Sequence, residues 1–382
     1  MEKQGKAFHI ITGLNNGGAE AVLYRLVTND THHKHVVVSL MGMGKYGHML
    51  EEKGIEVVCL NMPQGKLTLG GVLTLWKTLR KHKPDVVQTW MYHADFIGGL
   101  VAKFAGVKNI FWNIRHTDLV PGESSKATIL IARLCAKISA FVPTKIVCCA
   151  ERAAEVHAEL GYKKDKMVVI GNGYELSHFR VNEALDAETR QTLGIEADMP
   201  LLGKVGRFNA QKDHKNLLQA LAILKNKGVD FRALLIGPNM DEHNAELMGW
   251  IEQNQLQDNL LLLSQRTDIP ALMNAMDVHI LSSSFGEAFP NVVAEAMACG
   301  TPCVTTDVGD AGLIVGDTGW VVPPRNAEAL ADAIEQALLE KQNNLEAWQQ
   351  RKQASRARIE ENFSVETMIE KYHVVWGGDY AK

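Results

Sequence analysis

Residues 282–302, SSSFGEAFPNVVAEAMACGTP, set two carboxylates, Glu287 and Glu295, around what reads as a tight loop opening a helix. The apolar run 277–281 (DVHIL) ends in three serines, and the loop follows. Pro290 stands where a first helical residue is preorganised by its fixed φ, and Gly300 is a natural stop. A helix opened in this way aims unpaired N–H groups at the loop, which suits an anion such as a phosphate. Carboxylates would repel that anion. Glu287 in the loop, and Glu295 about one turn inside the helix on the face of Asn291, are better suited to accept hydrogen bonds from the hydroxyls of a ribose and a sugar ring. Cations lie upstream. The expected strand LLGKVG ends at Arg207, and Lys212 follows before a Leu- and Ala-rich helix. A bidentate Arg and a point-charge Lys beyond a strand end can clamp a diphosphate. Lys215 is the alternative to Lys212 if the loop register differs.

A second group of candidates lies in the first half. The apolar stretch 7–13 (AFHIITG) runs into Leu14-Asn15-Asn16-Gly17-Gly18, and Glu20 falls in the first turn of the amphipathic stretch that follows. Gly17-Gly18 permits close backbone approach to a ligand at a strand-to-helix turn, or forms a plain tight turn. The buried strand expected at 109–114 (NIFWNI) runs into Arg115-His116-Thr117-Asp118. Ligands of open α/β sheets bind beyond the carboxyl ends of the strands, so His116 is well placed, with His93 as a lesser candidate. A satisfied structural histidine is the alternative for either.

Taken together these stretches resemble a known family. GEAFPNVVAEAMACGTP resembles the E-x7-E signature of retaining GT-B glycosyltransferases of family 4. GRFNAQKDHKNLLQAL follows the segment whose Arg and Lys bind the nucleotide diphosphate in that family. NGGAE resembles its GG-x-E loop, and His116-Thr117 its strand-end histidine motif. The resemblance implies an α/β GT-B fold of two facing Rossmann-like doubly wound domains with a central cleft. It implies transfer of a hexosyl group, with retention, from a nucleotide diphosphate sugar, with a UDP-sugar as the expected donor. His116, Glu287, Arg207 and Lys212 would be the catalytic set. Gly17, Gly18, Gly237, Arg266, Thr267, Ala288, Phe289, Asn291, Val292 and Glu295 would join Arg207, Lys212 and Glu287 in binding the donor. Asn16, Glu20, His93 and Arg115 would face the acceptor. No metal or other cofactor is expected, because the cations and helix amides replace the Mg²⁺ of other transferases, and no D-x-D tripeptide is present. Likeness to surface-polysaccharide and O-antigen enzymes suggests a polyprenyl-diphosphate-linked or other glycan acceptor. A sugar-nucleotide 2-epimerase of the same shape, or a non-catalytic sugar-nucleotide-binding protein, is the alternative. A dinucleotide dehydrogenase is disfavoured, since no G-x-G-x-x-G opens a helix after the first strand.

The elements that must position these residues alternate between short apolar strands and helical stretches, as in parallel βα units. Strands are expected at 35–41, 55–61 and 232–238, and helices at 72–85, 184–195 and 326–342. Gly171-Asn172-Gly173 resembles the family's hinge, which gives an acceptor domain over 1–172 and a donor domain over 173–362. The tail 363–382 is expected to pack back on the first domain. A chain of 382 residues is long enough for two cores. Charge divides unevenly: 22 Lys and Arg stand against 14 Asp and Glu up to Asn172, and 18 against 30 beyond it. The basic half suits an anionic membrane surface. Residues 124–145 could contribute to it as an amphipathic helix with a basic face, or serve only as a core helix. No basic run is interleaved with stacking aromatics, so nucleic acid is not expected. No apolar stretch is long enough to span a membrane and no signal-peptide pattern opens the chain. A cytoplasmic protein, peripheral on the inner face of the membrane, is therefore expected. The six cysteines fit no zinc or disulfide spacing and should pack as small apolar residues.

Overall fold

The computed structural model describes residues 4–117 and 125–377. It divides into two compact units, Met1–Gly173 with Val365–Lys382, and Tyr174–Ser364. The candidate position Asp118, Ser124 at the head of the expected basic helix, and 378–382 of the tail lie outside the described residues.

The first unit alternates β1 (Gly5–Ile11), α1 (Gly18–Asn29), β2 (His33–Ser39), α2 (Gly44–Glu52), β3 (Glu56–Cys59), α3 (Leu69–His82), β4 (Val86–Trp90), α4 (Tyr92–Phe104), β5 (Ile110–Ile114), α5 (Lys126–Ile138), β6 (Lys145–Cys148), α6 (Glu151–Glu159) and β7 (Met167–Val169). Its sheet is wholly parallel, in the order β3-β2-β1-β4-β5-β6-β7. Strands such as FHII and VVQTW are buried along their length because helices cover both faces.

The second unit runs α7 (Glu183–Thr192), β8 (Leu201–Val205), α8 (His214–Asn226), β9 (Arg232–Ile236), α9 (Ala245–Gln253), β10 (Leu260–Leu262), α10 (Ile269–Ala275), β11 (Val278–Leu281), α11 (Asn291–Ala298), β12 (Cys303–Thr306), α12 (Ala311–Val315), β13 (Trp320–Val322), α13 (Ala327–Asn343) and α14 (Leu345–Phe363). Its sheet, also parallel, is ordered β10-β9-β8-β11-β12-β13. The strand order therefore reverses beside β1 in one unit and beside β8 in the other. Loops diverge at such a point and leave a crevice beyond the strand ends.

The last helix, α15 (Val365–Trp376), belongs to the first unit. Its Val365, Met368, Ile369, Tyr372 and Trp376 recur every three or four residues and enter the core formed by β1, α1 and β4. Burial of each such side chain contributes about 1.5–3 kcal/mol.

Several boundaries depart from the sequence reading. The expected 72–85 helix begins at Leu69, where the Thr68 hydroxyl accepts from the Gly71 amide. The helix expected at 184–195 spans Glu183–Thr192 and is capped by Asn182. Pro290 is not the first helical residue: its ψ of 96° is extended, and it precedes the helix as N-cap. The tail breaks at Ser364, where α14 ends and α15 begins. Helix α14 has no strong apolar stripe and no counterpart among the expected elements. Tertiary contacts hold it instead: Trp348, Ile359 and Phe363 are buried, and Arg358 donates to the carbonyls of Ile314 (2.7 Å) and Leu313 (2.6 Å) in the last turn of α12.

Gly237, whose sequence position suggests contact with a ribose or base, has a structural requirement of its own. Its φ is +145°, and a Cβ there would lie 2.0 Å from the Gly206 carbonyl oxygen. Gly237→Ala is expected to destabilise the protein by about 2 kcal/mol, measured by urea denaturation.

Candidate functional site

In the second unit the C-terminal ends of four adjacent strands carry one continuous row of loops. Beyond β8, residues 206–213 turn through Arg207 and a single 3₁₀ turn at Ala210–Lys212 into α8. The Asn209 side chain caps that turn, and Asp213, in the left-handed region at φ 45°, caps α8. Beyond β11, residues 282–290 lead into α11. The two loops are stitched together: the Ser284 amide donates to the Gln211 carbonyl (2.9 Å), and Gln211 Nε2 donates to the Gly286 carbonyl (2.9 Å). On the other side, the Gly237 amide donates to the Ser264 carbonyl (2.7 Å), which joins the loops after β9 and β10.

At the centre, Lys212 Nζ donates to Glu287 Oε1 at 2.6 Å, and Ser283 Oγ donates to the same oxygen at 2.6 Å. Only 15% of the Lys212 side chain and 9% of the Glu287 side chain are exposed. A cation and a carboxylate that the sequence suggests for different ligand groups are thus partners in this structure. Arg207, in the same β8–α8 loop as Lys212, is exposed and makes no ion pair among the described residues. Glu295 lies one turn inside α11 from Asn291, whose Oδ1 accepts from the Tyr174 hydroxyl at 2.6 Å.

The remaining donor-side candidates separate into side chains that face the row and side chains that do not. Phe289 is buried, stacked on Tyr174 and edge-on to Phe363, so only its backbone can serve a ligand. Val292 packs against the same core. The Ala288 carbonyl accepts from the Asp310 amide at 2.9 Å. Arg266 is held by a bidentate bridge to Asp268 (2.8 and 2.6 Å), while Thr267 is exposed beside it.

Two residues essential to this geometry do not stand out in the sequence. Gly309, at φ +56°, passes so close to the 287–288 backbone that a Cβ would lie 2.3 Å from the Glu287 carbonyl. Lys204, inside β8, is 1% exposed and donates to the Lys212 carbonyl (2.9 Å) and Ser282 Oγ (2.8 Å), bracing both loops from below. Burial, and then the Lys212 charge, push its pKa down to about 7. A lysine at the fourth position of LLGKV is the one signal of it in the sequence.

In the first unit, Asn16, Gly17 and Gly18 follow β1 at the switch point, and Gly17 is the N-cap of α1 without a side-chain cap. A Cβ on Gly18 would meet nothing within 4 Å, whereas one on Gly17 would lie 2.4 Å from a carboxylate oxygen of Glu20, which folds back over the start of the helix. Glu20 lies in the first turn, and burial raises its pKa. His93 follows β4 on α4, two residues after Met91, whose φ of 71° is a strained conformation for a side-chain-bearing residue. His116 follows β5 and stacks on Tyr92 (centroids 6.3 Å apart, planes 19° apart). Burial of its ring and then the neighbouring Arg115 charge lower its pKa, which keeps the imidazole neutral at pH 7. Arg115 is engaged within the unit: Nη2 donates to Asn172 Oδ1, and the guanidinium lies over Trp90. Asn16, Gly17, Gly18 and His93 therefore stand at the ends of the two strands that flank the switch, with His116 one strand further along.

Two successive doubly wound parallel units, each with candidate polar groups at its switch point, define a GT-B-type architecture. The crystal structure of Anabaena Alr3699/HepE in complex with UDP has the same fold, with a TM-score of 0.84 at 21% identity over 97% of this chain and 98% of that one. Family models match both units: "Glycosyltransferase Family 4" over residues 16–178 and "Glycosyl transferases group 1" over residues 186–357. The chain belongs to the family 4 glycosyltransferases and is an enzyme of the hexosyltransferase class. Among curated relatives, it is 25% identical to the UDP-Gal:alpha-D-GlcNAc-diphosphoundecaprenol alpha-1,3-galactosyltransferase of Escherichia coli, over 73% of each chain. It is 26% identical to the capsular polysaccharide biosynthesis glycosyltransferase CapM of Staphylococcus aureus, over 71% of each chain.

The buried Lys204 makes stability pH-dependent in a defined sense. Its folded pKa of about 7 lies below the unfolded value of 10.5, so the unfolded chain binds more protons between those limits. The resulting destabilisation is fully present below pH 7 and is relieved as pH rises toward 10.5. Wild type should gain on the order of 3 kcal/mol relative to Lys204→Met between pH 7 and 10, read from urea denaturation at a series of pH values.

Proposed function

We propose that this chain transfers a hexosyl unit, with retention of anomeric configuration, from a UDP-sugar to a polyprenyl-diphosphate-linked or other glycan acceptor in cell-surface polysaccharide synthesis. The observation that carries the reading is the row of groups at the switch point of the second sheet, where one loop carries exposed Arg207 and the Lys212 that pairs with Glu287. The names of the Escherichia coli and Staphylococcus aureus relatives support the substrate class, and UDP in the Anabaena complex supports the nucleotide.

The chemistry follows from charge. As the bond between the anomeric carbon and the β-phosphate oxygen breaks, the phosphate gains negative charge and the carbon becomes cationic. Arg207, Lys212 and the opening amides of α11 supply donors to that phosphate. Lys212 then divides its charge between Glu287 and the incoming diphosphate, so the ion pair serves as a resting partner for a cation that is needed elsewhere. The acceptor oxygen bonds to the anomeric carbon on the face that the phosphate leaves, and its proton passes to the departing phosphate oxygen. Glu287 accepts from sugar hydroxyls and Glu295 from ribose hydroxyls. His116, neutral at pH 7, accepts from a sugar hydroxyl or stabilises the cationic centre. Gly237 and the Arg266-Thr267 backbone border the base, while Asn16, Glu20, His93 and Arg115 face the acceptor. The protein's own donors replace a metal in this scheme.

A lipid-linked acceptor requires access to a membrane surface, and one face of the first unit suits an anionic one. Helix α4 packs between α3 and α5. This layer exposes Leu69, Leu73, Trp76, Phe104 and Leu130, together with Lys77, Arg80, Lys81, Lys103, Arg133 and Lys137. Val72, Leu73, Trp76, Val101 and Phe104 line an apolar hollow of about 320 Å³ in it. The three helices carry one acid, the fully buried Asp95. Each cation near an anionic surface contributes about 1 kcal/mol. No described helix is long and apolar enough to cross a membrane.

Arg207→Ala should lower kcat about 10²–10³-fold with little change in melting temperature, because Arg207 touches only the departing diphosphate. Turnover is read as UDP released only when acceptor is added, which separates a transferase from an epimerase or a binding protein. In flotation at low salt, the chain should rise with phosphatidylglycerol vesicles, and the Lys77→Glu/Arg80→Glu/Lys81→Glu variant should not. Failure of wild type to float would contradict the membrane assignment.

A further inference from the structure

The first unit holds a cluster of histidines at the end of α1 opposite Gly17 and Gly18. Asp30, the C-cap of α1, is buried, and its Oδ2 lies 2.9 Å from His33 Nδ1, 3.1 Å from His35 Nε2 and 3.0 Å from His373 Nε2. Its Oδ1 accepts from the His32 amide at 2.8 Å, and His32 Nδ1 stands 3.6 Å from the same atom. Behind this carboxylate the proton directions are fixed. Trp90 Nε1 can only donate, so His9 Nδ1 accepts (3.3 Å); neutral His9 then donates from Nε2 to His35 Nδ1 (3.0 Å), and His35 donates from Nε2 to Asp30.

We propose that Asp30, His32 and His373 form a structural site for one divalent transition-metal ion of the zinc type. Their ligand atoms all lie within 4.8 Å of one another, so modest side-chain rotations would bring all three to the roughly 2.0–2.2 Å at which zinc holds such ligands. One carboxylate and two imidazoles match the preference of zinc for nitrogen and oxygen donors, and the exposed His32 (58% of its side chain) leaves the remaining position to water. His33 and His35 act from behind: they hydrogen-bond the ligating carboxylate and fix its orientation, as outer partners do in metal sites. The three ligands come from the end of α1, the turn before β2, and α15. The ion therefore clips the C-terminal helix to the sheet that it covers. It is a site for stability rather than transfer. Gly17 and Gly18 lie at the opposite end of α1, about 18 Å away for a 12-residue helix.

The test uses the full chain without an affinity tag, stripped of metal, and zinc chloride as probe. Isothermal titration should show one zinc per chain, and saturating zinc should raise the melting temperature. His32 is exposed, so His32→Ala should keep the metal-free melting temperature of wild type and lose both responses. His33→Ala should keep one-to-one binding with affinity reduced about 10–100-fold. Cobalt substituted for zinc should give the intense visible absorption of a four-coordinate site. Absence of zinc uptake by wild type, or uptake by His32→Ala with unchanged stoichiometry and affinity, would overturn the proposal. Neither result bears on the transfer reading, which uses none of these residues.

Discussion

A lysine ammonium and a glutamate carboxylate 2.6 Å apart, both largely withdrawn from water, govern the second unit. Removing two charges from solvent costs several kcal/mol per ion, and the attraction offsets that cost only when geometry is good and the remaining hydrogen bonds are made. The surroundings meet that demand. Ser283 donates a second hydrogen bond to the same carboxylate oxygen, Gly309 lets the chain approach the Glu287 carbonyl, and Lys204 secures the loop that carries Lys212. Such a pair is poised rather than inert. In the proposed reaction a diphosphate offers the ammonium a stronger partner of the same sign as the one it has and frees the carboxylate to meet neutral hydroxyls.

The first unit repeats the topology with different chemistry. Its switch point presents glycines with the Glu20 carboxylate folded against Gly17, a strained Met91 between β4 and α4, and an imidazole whose protonation is disfavoured by burial and by Arg115. Its charge is carried instead on an outer helical layer that mixes cations with exposed Leu, Trp and Phe side chains. At the other end of α1, a buried aspartate gathers histidines from β2 and α15 and ties the last helix to the first.

How much of this is legible in the sequence depends on how locally each feature is encoded. Buried parallel strands such as VVQTW announce themselves as short apolar runs, and the two-unit α/β class follows from their alternation with helices. The loop holding Glu287 and the helix holding Glu295 are readable because a glycine, a proline and an apolar period fall within twenty residues. Lys212 is recognisable as a cation near a helix start, but its pairing with Glu287 depends on two strands becoming neighbours in a sheet. Phe289 reads like a site residue from its position, yet tertiary packing turns its ring into the core. Helix α14 gives no amphipathic signal because its arginines, rather than an apolar stripe, attach it. Lys204 and the Asp30–His373 contact are illegible for related reasons: the first is a polar residue hidden in an apolar strand, and the second joins residues more than three hundred positions apart.

The central claim is that the Lys212–Glu287 pair is the resting form of a diphosphate clamp. A crystal structure of the chain with UDP tests it most directly. The account predicts the diphosphate between Arg207, Lys212 and the first turn of α11, the ribose hydroxyls on Glu295, and Lys212 Nζ drawn from Glu287 toward a phosphate oxygen. UDP bound elsewhere, or at this edge with Lys212 still wholly engaged by Glu287, would contradict it.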